Sequence, residues 1–327
     1  MTIPCPSRFL LLLSLLQMLS INPGISEIYL TSRKTTFPLN EKLDFLAPRG
    51  CSFGYYPEFR MTETMKTFRM EFCDVKELSK EMFQKVRKLE YLAIDHNGIE
   101  SFEEEAFVHL LQMKHLNASD NSLNHFNAEW FILNKKLEVL EFSRNKFQRI
   151  PGKAFAGLSE LQVVNFDYNE IDYIEPGSFT GINNLAHLGL RNNKLKSIRA
   201  EIFPNQVRIE YLLIGGNYLN FLPNQLMERV SHGRILMDIN PWKCSCMENI
   251  YFWLFRTHAV MEQDTLCSRE DVPVCASQRI FSSSCQESVD EGLTRRFIKA
   301  LTKLSTPIEE RCTRLLYFNQ LEGWSFD

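Results

Sequence analysis

Outside the amino-terminal stretch Phe9 to Leu19 the chain has no long apolar run, which excludes a membrane-spanning helix of about 20 residues. The carboxyl end, Glu322 to Asp327, is polar, so a hydrophobic lipid-anchor tail is not expected. Glycine and proline number only 14 and 13 among 327 residues and nowhere gather into a linker, so one continuous domain is expected. The formal charge is only -3, too balanced to draw the chain to nucleic acid or to an anionic membrane. None of the patterns G-x-S-x-G, H-E-x-x-H or G-x-x-x-x-G-K occurs. No catalytic residue and no cofactor follow from the sequence, and the chain is read as not an enzyme.

What the chain has instead is a repeat. From Leu89 it reads L-E-Y-L-A-I-D-H-N-G-I, from Met113 M-K-H-L-N-A-S-D-N-S-L and from Leu137 L-E-V-L-E-F-S-R-N-K-F. Further copies begin at Leu161, Leu185 and Ile209, each 24 residues after the last, and a degenerate one at Met65. The first, fourth, sixth and eleventh positions are refilled with Leu, Ile, Val, Met or Phe, with Ala118 as the one exception in the regular copies, so they point inward. The ninth is always asparagine: Asn97, Asn121, Asn145, Asn169, Asn193 and Asn217. An amide there can satisfy backbone groups of neighbouring coils that would otherwise be buried unpaired, at about 1 to 3 kcal/mol each. Phe83, Phe107, Phe131, Phe155, Phe179 and Phe203 keep the same step and predict a phenylalanine spine on the opposite side. The pattern L-x-x-L-x-L-x-x-N-x-L resembles the leucine-rich repeat, and a fixed period of this length means a solenoid. The expected fold is an α/β solenoid, a leucine-rich repeat horseshoe with cysteine-stapled amino- and carboxyl-terminal caps and a short helical tail.

The ends point outside the cell. Residues 1–26 carry Arg8, the apolar run and Gly24-Ile25-Ser26 before a cleavage point, the layout of a secretory signal peptide. Eight cysteines remain beyond it: Cys51, Cys73, Cys244, Cys246, Cys267, Cys275, Cys285 and Cys312. That usage fits an oxidising compartment. Cys73 stands at the asparagine position of the degenerate copy, with Cys51 shortly before it, so these two are expected to staple an amino-terminal cap over residues 27–64. About seven coils then occupy 65–239, a carboxyl-terminal cysteine cap 240–285 and a helical tail 286–327. In the tail, Ser288 with Glu291 and Thr306 with Glu309 read as capping boxes of two helices. Val289, Leu293, Phe297, Leu301 and Leu304 share a face of the first, and Ile308, Cys312, Leu315 and Leu316 a face of the second. Cys275 and Cys312 either bond to each other, pinning the tail, or Cys312 joins a second chain in a dimer.

Function is expected on the exposed positions of the concave strands. The third positions are Tyr91, His115, Val139, Val163, His187 and Tyr211, and the eighth include Arg144 and Tyr168. Valines, aromatics and arginines are what protein interfaces use as anchors. The expected binding patch is Val139, Arg144, Val163, Tyr168, His187, Arg191 and Tyr211. Asn117-Ala118-Ser119 is a glycosylation sequon, and at a fifth position its sugar would cover the amino-terminal end of that face. His96, His115 and Asp120 lie on adjacent strands, but histidines on a strand face are usually solvated, and no metal is assigned.

Asn240-Pro241-Trp242-Lys243-Cys244-Ser245-Cys246, followed by Cys267 and Cys285, resembles the carboxyl-terminal cap of extracellular leucine-rich repeat proteins. The resemblance implies the pairs Cys244–Cys267 and Cys246–Cys285. Signal peptide, seven coils, cysteine cap and helical tail together are similar to the leucine-rich immune proteins of mosquitoes, which join complement-like thioester proteins, often as disulfide-linked dimers. The chain departs from them in lacking an adjacent cysteine pair and a long coiled coil. Two functions are expected on this basis. One is a secreted innate immune recognition or scaffold protein that binds an extracellular protein or a microbial surface. The other is a matrix or developmental adhesion ligand or receptor antagonist.

Overall fold

The computed structural model describes residues 63–73, 75–262, 275–276 and 284–303. The expected signal peptide, the amino-terminal cap to residue 62, Cys267 and the second tail helix with Cys312 lie outside the described residues.

Each coil opens with a short strand because its side chains alternate between core and concave face. In chain order the strands are β1 (Thr67–Arg69), β2 (Glu77–Leu78), β3 (Tyr91–Ala93), β4 (Ser101–Phe102), β5 (His115–Asn117), β6 (Val139–Glu141), β7 (Arg149–Ile150), β8 (Val163–Asn165), β9 (Tyr173–Ile174), β10 (Asn184–Gly189), β11 (Val207–Leu213), β12 (Val230–Leu236) and β13 (Val260–Glu262). Nine of them form one sheet in the order β1-β3-β5-β6-β8-β10-β11-β12-β13. Every pairing in it is parallel, and from β1 to β11 each is in step with the 24-residue repeat; β11 pairs with β12 at a step of 23 residues and β12 with β13 at a step of 26. The sheet runs beyond the seven expected coils. β12 follows β11 after 23 residues, with His232 opposite Ile209, a position the apolar pattern could not reveal, and β13 lies within the cap.

The inward positions are dry: Leu89, Leu92, Ile94 and Ile99 are fully buried, as are Leu140, Val164 and Leu188 in later coils. Each such side chain contributes about 1.5 to 3 kcal/mol. The phenylalanine spine is buried as well, with centroids 6.3 Å apart for Phe83–Phe107, 5.4 Å for Phe107–Phe131 and 5.1 Å for both Phe155–Phe179 and Phe179–Phe203. Phe126 bridges Phe131 and Phe155, at 6.2 and 5.6 Å.

The asparagines form the expected ladder, each reaching back one coil. Asn145 Oδ1 accepts from the Leu123 amide at 3.0 Å, and its Nδ2 donates to the carbonyls of Ala118, Phe142 and Ser143 at 2.9, 3.1 and 3.3 Å. Asn169, Asn193 and Asn217 repeat the pattern, and Asn240 of the cap motif closes it. The residue before the asparagine position is left-handed: Phe72, which precedes Cys73, and His96, Asp120, Arg144, Tyr168 and Asn192, which precede asparagines, have φ between 52° and 59°. That conformation costs about 1 to 2 kcal/mol for a residue with a side chain. In return the amides of Asp120, Arg144 and Tyr168 bond to the seventh-position carbonyls of the next coil at 2.8 to 2.9 Å, so the strand ladder continues into the turn.

Three helices follow: α1 (Asn224–Arg229), α2 (Cys244–Thr257) and α3 (Glu291–Thr302). Trp242 is buried and donates from Nε1 to the Met237 carbonyl at 2.9 Å. Lys243 is also buried, its ammonium held by the carbonyls of Gln286 and Ser288 at 2.9 and 2.7 Å and by Ser288 Oγ at 3.2 Å. Burial pushes its pKa down, opposed by Asp290. Because Ser288 is engaged there, α3 is capped two residues later than the sequence suggests, by Asp290 Oδ1 accepting from the Leu293 amide at 2.8 Å. Leu293, Phe297 and Leu301 of α3 face the core as expected, whereas Val289 is exposed.

The cap is stapled by Cys244–Cys275 and Cys246–Cys285. The second pair matches the one that the resemblance implies; the first replaces Cys244–Cys267. Cα atoms of Cys244 and Cys275 lie 5.0 Å apart, held there by the bridge that Lys243 makes with Ala276 and by the Cys244 amide donating to the Ala276 carbonyl at 3.3 Å. With Cys275 so used, the alternative Cys275–Cys312 bond falls away. Cys73 is disulfide-bonded to a partner outside the described residues.

Removing one rung should therefore be costly. Asn145→Ala is expected to destabilise the chain by about 2 to 4 kcal/mol, because two or more buried backbone groups lose their partner; denaturant unfolding beside wild type measures it, and a loss below about 1 kcal/mol would remove the ladder's structural role. Non-reducing peptide mapping should recover the Cys244 peptide joined to the Cys275 peptide, and recovery of Cys244 joined to Cys267 would overturn the assignment.

Candidate functional site

Parallel pairing aligns the third positions into one file. Tyr91, His115, Val139, Val163, His187, Tyr211 and Arg234 stand side by side across seven strands. Strands lie about 4.8 Å apart, so each side chain in such a file is flanked on both sides. This explains a correction to the sequence reading: Val139 and Val163 are buried rather than exposed, at 7% each. The half-buried members are Tyr91, His115, His187 and Tyr211. Tyr91 and His115 lie ring against ring at 4.7 Å, and Arg234 sits 5.5 Å over the Tyr211 ring.

Three of the expected contact residues meet at the edge of the sheet, where Tyr168, expected to be exposed, is buried at 7% against two arginines. The Arg144 guanidinium lies 5.1 Å over the Tyr168 ring and that of Arg191 5.8 Å over it, and Arg191 Nη2 approaches the Tyr168 hydroxyl at 3.5 Å. Such contacts contribute about 0.5 to 2 kcal/mol each. Two carboxylates complete the group: Asp167 Oδ2 is 3.2 Å from Arg191 Nε, and Asp120 Oδ2 is 3.8 Å from Arg144 Nη1. The same edge continues through His96, 3.7 Å from Asp120, to Phe72, whose ring lies 5.0 Å from that of His96. All these residues except Arg191 and Asp167 occupy the left-handed eighth position. Periodicity had placed the arginines and Tyr168 on this face, but nothing in it showed that Asp120 and Asp167 would bind them.

Beneath the edge lies a polar row at the fifth position. Asn117 is buried at 2%, its Nδ2 donating to Asp95 Oδ1 at 3.2 Å and its Oδ1 accepting from the Ser119 amide and hydroxyl at 3.0 and 2.6 Å. The sequon residues thus bond to one another inside the sheet, and the expected sugar on an exposed Asn117 has no counterpart in this geometry. Asn165 Oδ1 accepts from the Asp167 amide at 2.9 Å. The next fifth position is Gly189, where a Cβ would run into Asn165 Oδ1 and come within 2.8 Å of Asp167 Oδ1. Glycine there lets Asp167 accept from the Arg191 amide at 2.7 Å.

Burial sets the charges of this face. Desolvation holds His115 down at about 4, with the nearby Lys114 adding to it; Glu138 is 3.8 Å from His115 Nε2, too far to bond it. His187 is pushed down by desolvation despite Asp167. Asp95 is raised by desolvation, against the bond from His96, whose Nδ1 lies 2.9 Å from Asp95 Oδ2. Among the described residues no group of His, Cys, Asp or Glu is arranged to hold a metal ion. His96 and His115, weighed as ligands from sequence, turn to different partners.

Residues 65–195 match the leucine rich repeat family model in four overlapping stretches, 65–123, 87–147, 112–171 and 135–195. These residues carry leucine-rich repeats, and the nine-stranded sheet is the concave wall of their solenoid. The chain is similar to a leucine-rich repeat protein of Leptospira interrogans, with a TM-score of 0.53 and 26% identity over 62% of this chain and 49% of that one. It is 34% identical over 79 residues to the trophoblast glycoprotein of Macaca fascicularis, which covers 23% of this chain and 19% of the relative. The chain thus spans about half of the one and about a fifth of the other. No helix among the described residues is long and apolar enough to cross a membrane.

The depressed His115 makes a signed prediction. Its folded pKa of about 4 lies below the unfolded value of about 6.5, so only the unfolded chain takes the proton between them. Wild-type stability should fall as pH drops from 6.5 towards 4, by about 3 kcal/mol from this residue. In His115→Phe that component should vanish, and denaturant unfolding at pH 7 and pH 4 measures the difference; equal pH slopes in the two proteins would show that His115 is not buried against the sheet.

Proposed function

We propose that the chain is an extracellular protein-binding solenoid of innate immune recognition or scaffolding, which takes a protein ligand across the concave sheet around Arg144, Tyr168, Arg191 and Tyr211. The observation that carries this reading is the nine-stranded sheet with its continuous in-register files, an extended surface of the kind repeat proteins use for partners. Tyrosine and arginine are the residues in which interface energy concentrates. The stacked guanidiniums are held by protein contacts before a ligand arrives, so little rotamer freedom is left to lose on binding. Two disulfides in the cap support an oxidising compartment, since such bonds do not persist in the cytosol. A microbial surface is an alternative ligand for the same face. A second reading, an adhesion ligand or receptor antagonist of the matrix, would use the same sheet, since a solenoid face serves either kind of partner.

Tagged full-length protein is incubated in native extracellular fluid beside an Arg144→Glu, Tyr211→Ala variant, and captured proteins are identified by mass. Arg144 and Tyr211 are only partly buried, so the variant should melt within a few degrees of wild type. Its capture of the partner is expected to fall at least tenfold, as when one or two anchors are lost. Equal capture by both forms removes ligand binding from the concave face.

A further inference from the structure

The outward face of the cap helix α2 does not have the composition of a surface helix. Its inward face is filled: Met247, Ile250, Trp253 and Leu254 are buried, and Trp253 Nε1 donates to the Val230 carbonyl at 3.3 Å. The opposite face of such a helix is ordinarily polar. Here it carries Tyr251, Phe252 and Phe255, which are 48%, 64% and 78% exposed. At 3.6 residues per turn the three rings fall within an arc of about 100°, so they adjoin one another, and adjoining exposed apolar groups mark an interaction site. The helix that presents them is fixed at both ends. Cys244 and Cys246 hold its first turn by disulfides, and after its last turn His258, with φ 53°, returns its amide to the Phe255 carbonyl at 3.2 Å.

Two charges frame the rings on the same side of the helix. Glu248 stands four residues before Phe252 and Arg256 four residues after it. Both are exposed, and neither forms an ion pair among the described residues. They are about 12 Å apart along the axis, too far to pair with each other.

We propose that α2 docks antiparallel on the α2 of a second copy of the chain, about a two-fold axis that passes Phe252. In an antiparallel pair centred there, the residue four before the centre on one helix comes opposite the residue four after it on the other. Glu248 then meets the partner's Arg256 at one end of the interface, and Arg256 meets the partner's Glu248 at the other. The two Phe252 rings meet at the axis, and Phe255 comes over the partner's Asn249. A parallel arrangement would set like charges together. An anionic membrane would take the rings only by drawing the Glu248 carboxylate, which shares their face, out of water unpaired. A partner of one charge sign would leave one of the two charges unmatched. The contact is a single helix of 14 residues, about 21 Å long, so the dimer is weak and sits at the low end of interface size. None of its residues belongs to the concave face around Arg144, Tyr168 and Arg191, so a ligand with repeated epitopes can be held at two points.

The test measures the mass of the full-length protein by sedimentation equilibrium at roughly 100 µM, where an interface of this size is populated. Wild type is expected to approach twice the chain mass. Glu248→Arg alone and Arg256→Glu alone each set like charges together at both ends of the interface, and each is expected to weaken association at least tenfold. The double variant, and an equal mixture of the two single variants, restore opposite pairing and are expected to dimerise as wild type does. Phe252→Ser is expected to be monomeric. All three positions are exposed, so unchanged melting separates lost docking from lost fold. A monomeric wild type overturns the proposal, and if that monomer sediments with phosphatidylserine vesicles the face serves a membrane instead. A dimer that Phe252→Ser or the single reversals leave intact overturns it too, as does one that the double variant fails to restore. So does a dimer that persists in denaturant until reduced, which would mean a disulfide link.

Discussion

The left-handed turn between strand and asparagine is the constraint on which the rest of the molecule depends. At that point each coil must leave the sheet and turn inward without burying unpaired amides. Arginine, tyrosine and phenylalanine are poor choices for positive φ, yet they occupy it at Arg144, Tyr168 and Phe72. At Arg144 and Tyr168 the conformation persists because the asparagine after it bonds to several backbone groups, and at all three because the turn's own amide reaches the next coil. One gain compensates the strain, and the two cannot be separated. The same turn throws the eighth side chain outward at the rim, which is why Phe72, His96, Asp120, Arg144 and Tyr168 make a continuous line of contacts. Scaffold and candidate site are therefore products of a single backbone feature.

Such an array transmits stability from neighbour to neighbour, and its ends decide whether it holds. At the carboxyl end the last asparagine, Asn240, is at once the final rung and the first residue of the cap. Lys243 takes the place of a backbone donor, and its three oxygen partners tie residues 286–288 to the cap. Asn220 adds a second tie, bonding to Pro241, Thr294 and the Asp290 amide. These contacts explain why α3 packs on the solenoid at all: its apolar face is modest, but its entry is fixed by bonds that the cap supplies.

The sequence disclosed what recurs. Core positions, asparagines and spine phenylalanines follow from a strict period because every coil solves the same packing problem. It did not disclose relations between coils that the period leaves free. Val139 and Val163 occupy a formally outward position, yet lateral neighbours cover them, since exposure in a sheet is set by the row and not by the residue. Asn117 sits in a sequon by residue type and in a hydrogen-bonded row by register. The cap pairing depends on a chain excursion that brings Ala276 beside Lys243, and spacing carries no trace of it. The coil containing β12 was hidden for a plainer reason: with His232 where leucine is expected, its first signature residue is missing although its asparagine is present.

In a repeat protein the informative residues are those that depart from their own file. On the concave side the departures are largely answered within the chain: Arg144 and Arg191 have Tyr168 and two aspartates, and Gly189 has the side chains that fill its space. A ligand there must compete with or extend contacts already made, which favours a broad surface over a single pocket. On the convex side the departures are unanswered among the described residues. Ile132 and Leu133 meet solvent where the two following coils place Ala156 and Gly157 or Thr180 and Gly181, and Glu104 lies against Glu129. Apolar exposure and like-charge contact are both unfavourable for an isolated solenoid, and they occur in adjacent coils on one surface.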